Sequence, residues 1–145
     1  MKDHLILLYQ DAIASMNVRN FEQARKLLNT IVIEQPNFEH GGAFYDLGCC
    51  LEELKEYGSA RRAFEKALSH EPTNPIYLGG LASFLYLWGD PKEAFEKHLS
   101  LVRLEQSQGD VEGIKQTAIS LQALGKKIGL TSEAIDKLIE DARYS

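Results

Sequence analysis

Three alanines hold the same place in three successive stretches of this chain, and no other feature restricts the fold as strongly. Ala24, Ala60 and Ala94 each lie in an apolar stretch, and a larger residue follows each alanine four positions later. Those larger residues are, in order, Leu28, Phe64 and His98. Self-similarity at a period of about 34 residues is typical of an array of supersecondary units that stack on one another.

The segments inside each unit have the period of α-helices. Apolar residues recur every three to four positions along most of the chain, and strand-like alternation is nearly absent. Asn20, Asn74 and Asp90 are suitable N-caps, and Pro75 and Pro91 each follow in a first helical turn, where proline is tolerated. The predicted helices cover residues 5–17, 21–34, 42–54, 59–70, 75–88 and 91–106, and two more begin after "SQGD" and "GLTSE". The sequence therefore predicts an all-α fold of helix pairs joined by short turns.

The charge distribution and the lack of long apolar runs exclude some classes of partner. The 145 residues carry a formal net charge of -5 without a basic cluster, so we do not expect binding to nucleic acid. No apolar run approaches the length of about 18 residues that a membrane-spanning helix needs, and the N-terminus lacks a signal-peptide cleavage site. The two cysteines, Cys49 and Cys50, are neighbours and do not form a disulfide framework. We expect a cytoplasmic protein without membrane insertion.

One stretch carries enough motif residues to resemble a known family. Residues 41–74 resemble a nearly complete tetratricopeptide repeat, through Phe44, Leu47, Gly48, Leu51, Tyr57, Ala60, Phe64, Ala67 and Pro72. Residues 5–38 and 75–108 resemble the repeat less closely, and residues 110–143 resemble it only as a helix pair. The resemblance implies a right-handed superhelical stack of antiparallel helix pairs, with a single domain over residues 1–145 and a C-terminal capping helix.

The resemblance also implies a binding surface, because the first helices of such repeats line the concave side of the stack. The residues at the lining positions are Tyr9, Ile13, Met16, Tyr45, Cys49, Glu52, Glu53, Ile76, Ser83 and Tyr86. This apolar and aromatic set with acidic members suits an extended or amphipathic peptide of a protein partner. The expected function is a non-catalytic protein-interaction module, acting as an adaptor or in a chaperone-like way. Small three-repeat chaperones of bacterial type III secretion are similar in size and repeat number.

Two alternatives to a peptide-binding groove stay open on the sequence. The apolar surfaces could instead mediate self-association, which makes the protein a structural scaffold or a homodimer. The C-terminal helix could also pack into the groove or against a second protomer. A family subclass that clamps the C-terminal carboxylate of chaperones is disfavoured, because its matching positions here lack cations and amides. Those positions hold Tyr9, Ile13, Asp46, Ile76 and Gly80.

The residues that could carry chemistry do not form a recognisable catalytic or metal site. The chain has no phosphate-binding loop, no G-x-S-x-G motif and no H-E-x-x-H motif. Cys49 and Cys50 point about 100° apart on a helix and make a poor chelate, and the four histidines are far apart in sequence. We therefore expect no enzyme activity, no cofactor and no metal. His98 replaces an aromatic core residue, Cys49 faces the groove, and Cys50 packs inside.

Overall fold

The computed structural model describes residues 2–145, and this part of the chain consists of helices and short connections. It contains eight α-helices and no strand: α1 Lys2–Asn17, α2 Phe21–Glu34, α3 Gly42–Glu53, α4 Tyr57–His70, α5 Pro75–Trp88, α6 Pro91–Ser107, α7 Val111–Lys127 and α8 Ser132–Tyr144. A short 3₁₀ helix, Phe38–Gly41, precedes α3. The predicted all-α fold class is confirmed. Over the described residues, each helix is too short or too polar to cross a membrane.

Side-chain caps fix the starts of several helices where the sequence predicts them. The side chain of Asn20 accepts a hydrogen bond from the backbone N–H of Gln23 at 3.3 Å, and α2 covers the predicted residues. Asn74 caps α5 in the same way, and Asp90 caps α6. A cap of this kind satisfies a backbone donor that has no partner inside the helix and typically contributes about 1 kcal/mol.

Two local features differ from the prediction. Helix α4 begins at Tyr57, whereas a start near Ser59 was predicted, and its N-cap Glu56 makes no side-chain capping bond. The 3₁₀ helix before α3 was not predicted, and its residues Glu39 and His40 have positive φ angles of 53° and 55°. Glu56 is not a residue of the usual capping type, and neither Glu39 nor His40 is a glycine or asparagine, which is why the sequence pattern did not indicate these conformations.

The helices divide into two compact units, of which the first ends at Pro72. In this unit α1 pairs with α2, α3 pairs with α4, and α2 packs on α3. The small residues at the helix contacts are fully buried, as the repeat pattern predicts; they include Ala12, Ala24 and Ala60. A Cβ atom added to Gly48 would lie 2.9 Å from the ring of Phe64, so the close approach of α3 and α4 requires glycine at this position.

The second unit covers Thr73–Ser145 and contains α5 to α8. Helix α6 packs on α5, on α7 and on α8. Helix α8, the predicted C-terminal capping helix, buries Ile135, Ile139 and Ala142. A hydrogen bond of 2.9 Å from the Arg143 side chain to that of Gln106 further joins α8 to α6. The C-terminal helix is thus attached to α6 and α7 of its own unit, and a single domain over all 145 residues stays a prediction.

Candidate functional site

In the first unit, the predicted groove residues of α1 and α3 lie on two helix faces that a hydrogen bond connects. Tyr9, Ile13 and Met16 are half-buried and share one face of α1, because they are spaced by four and three positions. On α3 the corresponding residues are Tyr45, Cys49, Glu52 and Glu53, of which only Glu53 is exposed. The Tyr9 hydroxyl donates a hydrogen bond to the Asp46 carboxylate and so joins the two helices.

Burial raises the pKa values of three groups on α3, namely Tyr45, Asp46 and Cys49. Burial raises the pKa of the Tyr45 hydroxyl to about 12, and the nearby Cys49 thiol adds to the shift. Burial likewise raises the pKa of Cys49 to about 12, helped by the negative charge of Asp46. The pKa of Asp46 is itself raised by burial, although the hydrogen bond from Tyr9 opposes that shift. A thiol with so high a pKa is a poor nucleophile at neutral pH.

In the second unit, three helices enclose a surface depression that contains two of the predicted groove residues. One part has a volume of about 230 Å³ and is lined by Ser83, Tyr86, Leu87, His98 and Ser120. The adjoining part, of about 190 Å³, shares three of these residues and adds Gly79, Leu101, Gln116 and Thr117. Helices α5, α6 and α7 each contribute to the lining. Residues of α8 contribute to neither part, so among the described residues the C-terminal helix does not fill this depression.

The imidazole ring of His98, on α6, forms part of the wall in both parts of the depression. His98 is only 4% exposed, and its Nδ1 lies 2.7 Å from the backbone carbonyl oxygen of Ala94. The ring meets Tyr86 edge-to-face, with 6.1 Å between the ring centroids. Burial lowers the pKa of His98, so the neutral imidazole is favoured. Tyr86 has a second neighbour, because the Lys127 ammonium lies 5.7 Å from the centre of the Tyr86 ring.

Large apolar side chains are exposed on the helices that line the depression. Ile76 and Leu87 are 62% and 61% exposed, and their spacing with Ser83 places all three on one face of α5. Ile119, which is 65% exposed, lies between the lining residues Gln116 and Ser120 in the sequence of α7. Exposed apolar groups that cluster at a concave site are typical of interaction surfaces.

The structure brings some of the predicted groove residues together and separates others. Ser83 and Tyr86 both line the depression, whereas Ile76 lies on the same helix but does not line it. His98 and Ser120 were not predicted as site residues. The repeat register did indicate that His98 is a core position, and the structure confirms its burial. Helix α7 offered no repeat register from which its lining residues could be read.

Helix pairs that recur with small residues at their contacts define a helical repeat protein.

Within residues 2–145, no three or more His, Cys, Asp or Glu side chains are grouped in a way that could hold a metal ion.

Comparison with family models identifies the type of repeat. Residues 41–74 match the model described as the tetratricopeptide repeat, which is the stretch that carries the motif residues. The chain therefore contains a tetratricopeptide repeat, and repeats that stack in this way create extended surfaces for binding. No curated protein sequence matches the chain.

Solved structures extend the similarity to most of the chain. The crystal structure of MamA has a TM-score of 0.78 at 17% identity, over 95% of this chain and 75% of MamA. A structure of the type III secretion translocator chaperone SycD of Yersinia enterocolitica has a TM-score of 0.77 at 19% identity, over 90% of this chain and 89% of SycD. An alternative dimer of SycD has a TM-score of 0.75 at 19% identity, over 88% of this chain and 96% of SycD. At these identities the similarity shows the fold.

Proposed function

We propose that this chain is a non-catalytic protein-interaction module that binds a segment of a partner protein, as an adaptor or a chaperone does. The tetratricopeptide repeat at residues 41–74 supports this function, because stacked repeats offer concave binding surfaces. The structural similarity to SycD, which is a translocator chaperone, is consistent with it. The free thiols of Cys49 and Cys50 suit a reducing compartment, so the proposed location is the cytoplasm.

The depression in the second unit, with its exposed apolar rim, is the observation that carries this proposal. This rim consists of Leu87, which lines the part of about 230 Å³, and of Ile76 and Ile119, which lie on two of the helices that line the depression; each exposes more than half of its surface. Exposing such side chains to water costs about 25 cal/mol per Å² of apolar surface relative to burial. A partner segment that covers the rim removes this cost, and the concavity supplies shape for recognition.

The predicted groove residues of the first unit form a second proposed contact surface. Tyr9, Ile13 and Met16 offer apolar and aromatic area, while Glu52 and Glu53 add negative charge. The Glu53 carboxylate is already paired with Arg19 at 3.3 Å, although both side chains are exposed. An exposed pair of this kind contributes little stability, so a cationic partner side chain can replace Arg19 at small cost.

The test compares two double variants of the tagged full chain in its host lysate. Ile76→Glu with Leu87→Glu places two charges on the rim of the depression. The matched control, Val18→Glu with Ile33→Glu, adds the same charge at two exposed apolar residues of the first unit. Crosslinking with mass spectrometry should show a partner whose yield falls for the rim variant only. Equal yields of every crosslinked protein from both variants would contradict the proposed function.

Self-association is a second candidate function that one observation favours. Leu7, Val18 and Ile33 of the first unit are large apolar side chains that are exposed. SycD, which shares the fold, has been crystallised as an alternative dimer. If these residues form a homodimer contact, light scattering should show a concentration-dependent dimer that the Val18→Glu, Ile33→Glu variant abolishes. A monomer at high concentration would exclude this function.

A further inference from the structure

His98 occupies a core position that the other two repeats fill with apolar side chains, Leu28 and Phe64. In the repeat register it aligns with Phe64 of the first unit, and both side chains are almost fully buried. Phenylalanine satisfies the packing at that position through apolar contacts, including the edge-to-face contact of Phe64 with Tyr45. The imidazole ring of His98 makes the same type of contact with Tyr86. Its two nitrogen atoms are therefore an addition that packing does not require.

The backbone bond of His98 determines which nitrogen carries the proton. A carbonyl oxygen can only accept a hydrogen bond, so Nδ1, which lies 2.7 Å from the Ala94 oxygen, must donate. In the neutral ring, the other nitrogen, Nε2, then has a lone pair and can only accept. Among residues 2–145, the bond to Ala94 is the one hydrogen bond recorded for this side chain. Nε2 is thus an acceptor on a ring that lines both parts of the depression.

The other lining groups of the depression are uncharged. Ser83, Ser120 and Gln116 contribute hydroxyl and amide groups, and Leu101 contributes apolar surface. Apart from His98, no acidic or basic residue lines either part, although Lys127 lies close by, over the Tyr86 ring. A charged side chain buried here would lose its hydration without gaining a counter-charge from the lining itself, which is costly. The lining therefore favours a neutral polar group over an ionised one.

The size of the depression limits what can enter it. Its two parts have volumes of about 230 and 190 Å³, and one water molecule takes about 30 Å³ of the liquid. Each part thus has room for a single side chain of moderate size. The two parts adjoin at Ser83, His98 and Ser120. In an extended segment, residues i and i+2 project to the same side, so they can enter the two parts together.

We propose, on the basis of the function proposed above, that His98 makes this depression selective for an extended partner segment that brings a neutral hydrogen-bond donor to Nε2. A serine, threonine, asparagine or glutamine side chain of the segment supplies that donor, and an apolar or small residue two positions away fills the adjoining part. Leaving a buried acceptor unpaired is unfavourable, so segments without the donor bind more weakly.

The experiment uses a library of random 12-residue peptides displayed on phage and selected on the full-length protein. Enriched peptides are synthesised, and their Kd values are measured by calorimetry for the wild type and for three variants. His98→Phe keeps a flat ring and removes both nitrogens, and the first unit shows that phenylalanine packs at this register position. His98→Gln keeps a polar atom near the place of Nε2. The control is His70→Phe, at an exposed histidine that stacks on Phe44 in the first unit.

We expect the enriched peptides to share a neutral donor residue and to bind His98→Phe about tenfold more weakly than the wild type. Binding to His98→Gln should be largely restored, and His70→Phe should bind as the wild type does. Long-range ¹H–¹⁵N spectra of His98 should show Nδ1 protonated in the free protein and a shift of the Nε2 signal when peptide is added.

Each contrary result has its own meaning. Peptides that bind the wild type and His98→Phe equally, or that share charged residues, overturn the role of His98 and leave the proposed interaction function standing. If His98→Phe does not fold, an unchanged Nε2 signal in the peptide-bound wild type overturns the inference instead. Failure to enrich any peptide contradicts the proposed function itself and the inference with it.

Discussion

Tyr9 donates a hydrogen bond to the Asp46 carboxylate, which connects the first and third helices of the first unit across 37 positions of sequence. Asp46 is half-buried, so its carboxylate has little access to water and depends on this donor. Replacing Tyr9 with phenylalanine keeps the ring, including its edge contact with Phe38 at 5.3 Å, but removes the donor. We expect Tyr9→Phe to lower the free energy of unfolding by about 1–3 kcal/mol at neutral pH.

Urea denaturation measures this effect, and Tyr144→Phe is the matched control. Tyr144 is exposed near the end of α8, so loss of its hydroxyl should change the free energy of unfolding by less than about 0.5 kcal/mol. A similar change for both variants would show that the bond to Asp46 contributes nothing specific.

The raised pKa of Asp46 predicts a particular dependence of stability on pH. Burial raises this pKa above its ordinary value of 3.8, so the native state keeps the proton at pH values where the unfolded state has lost it. The free energy of unfolding therefore falls as pH rises from 3.8 through the native pKa. Asp46→Asn removes the contribution of this carboxyl group to the pH dependence. The free energy of unfolding of the variant, relative to that of the wild type, should therefore increase across that pH window and then level off. Urea denaturation at closely spaced pH values checks the prediction, which a pH-independent difference would contradict.

Two glycines should respond in opposite directions to the same substitution. A Cβ at Gly48 would lie 2.9 Å from the ring of Phe64, which is fully buried and cannot move aside. We expect Gly48→Ala to destabilise the protein by about 1–3 kcal/mol. A Cβ at Gly79 meets nothing within 4 Å, so Gly79→Ala should stabilise α5 by about 0.5–1 kcal/mol through helix propensity. Thermal unfolding of both variants tests the two predictions. Destabilisation by Gly79→Ala would show that a methyl group does not fit at this position.

The two cysteines should both react slowly with iodoacetamide, and they should differ in access. Burial raises the pKa of each thiol from 9.0 to about 12, which lowers the thiolate fraction at neutral pH about a thousandfold. Cys49 is half-buried, and Cys50 is completely buried. Mass spectrometry should find slow labelling of Cys49 in the native protein and labelling of Cys50 only after unfolding in urea. Rapid labelling of Cys49 at neutral pH would show that its pKa is not raised.

The sequence predicted those parts of the fold that depend on local chemistry. Asn20, Asn74 and Asp90 are capping residues, and each caps a helix in the structure because a short polar side chain can reach the free backbone donors. The recurring alanines were equally informative, since only small residues allow the helices of a pair to approach closely.

The candidate site was harder to predict, because it depends on contacts between helices that are far apart in sequence. Ser120 and Gln116 line the depression because α7 packs on α6, and the apolar period of α7 indicates a buried face but not which helix that face meets. The start of α4 at Tyr57 was not predicted because of a local backbone conformation. Lys55, just before this helix, has a positive φ of 64°, and no glycine or asparagine in the sequence indicates that conformation.

Position 98 corresponds in the repeat register to Leu28 and Phe64, and all three side chains are almost fully buried, so this core position accepts an apolar side chain as well as an imidazole ring. Part of the chemistry of the cavity wall is consequently determined by a core residue that is 4% exposed, beside the hydroxyl and amide groups of Ser83, Ser120 and Gln116. Exchange of one planar ring for another would alter the polarity of the wall while leaving the helices in place. A core position of this kind allows ligand preference to change without a new backbone.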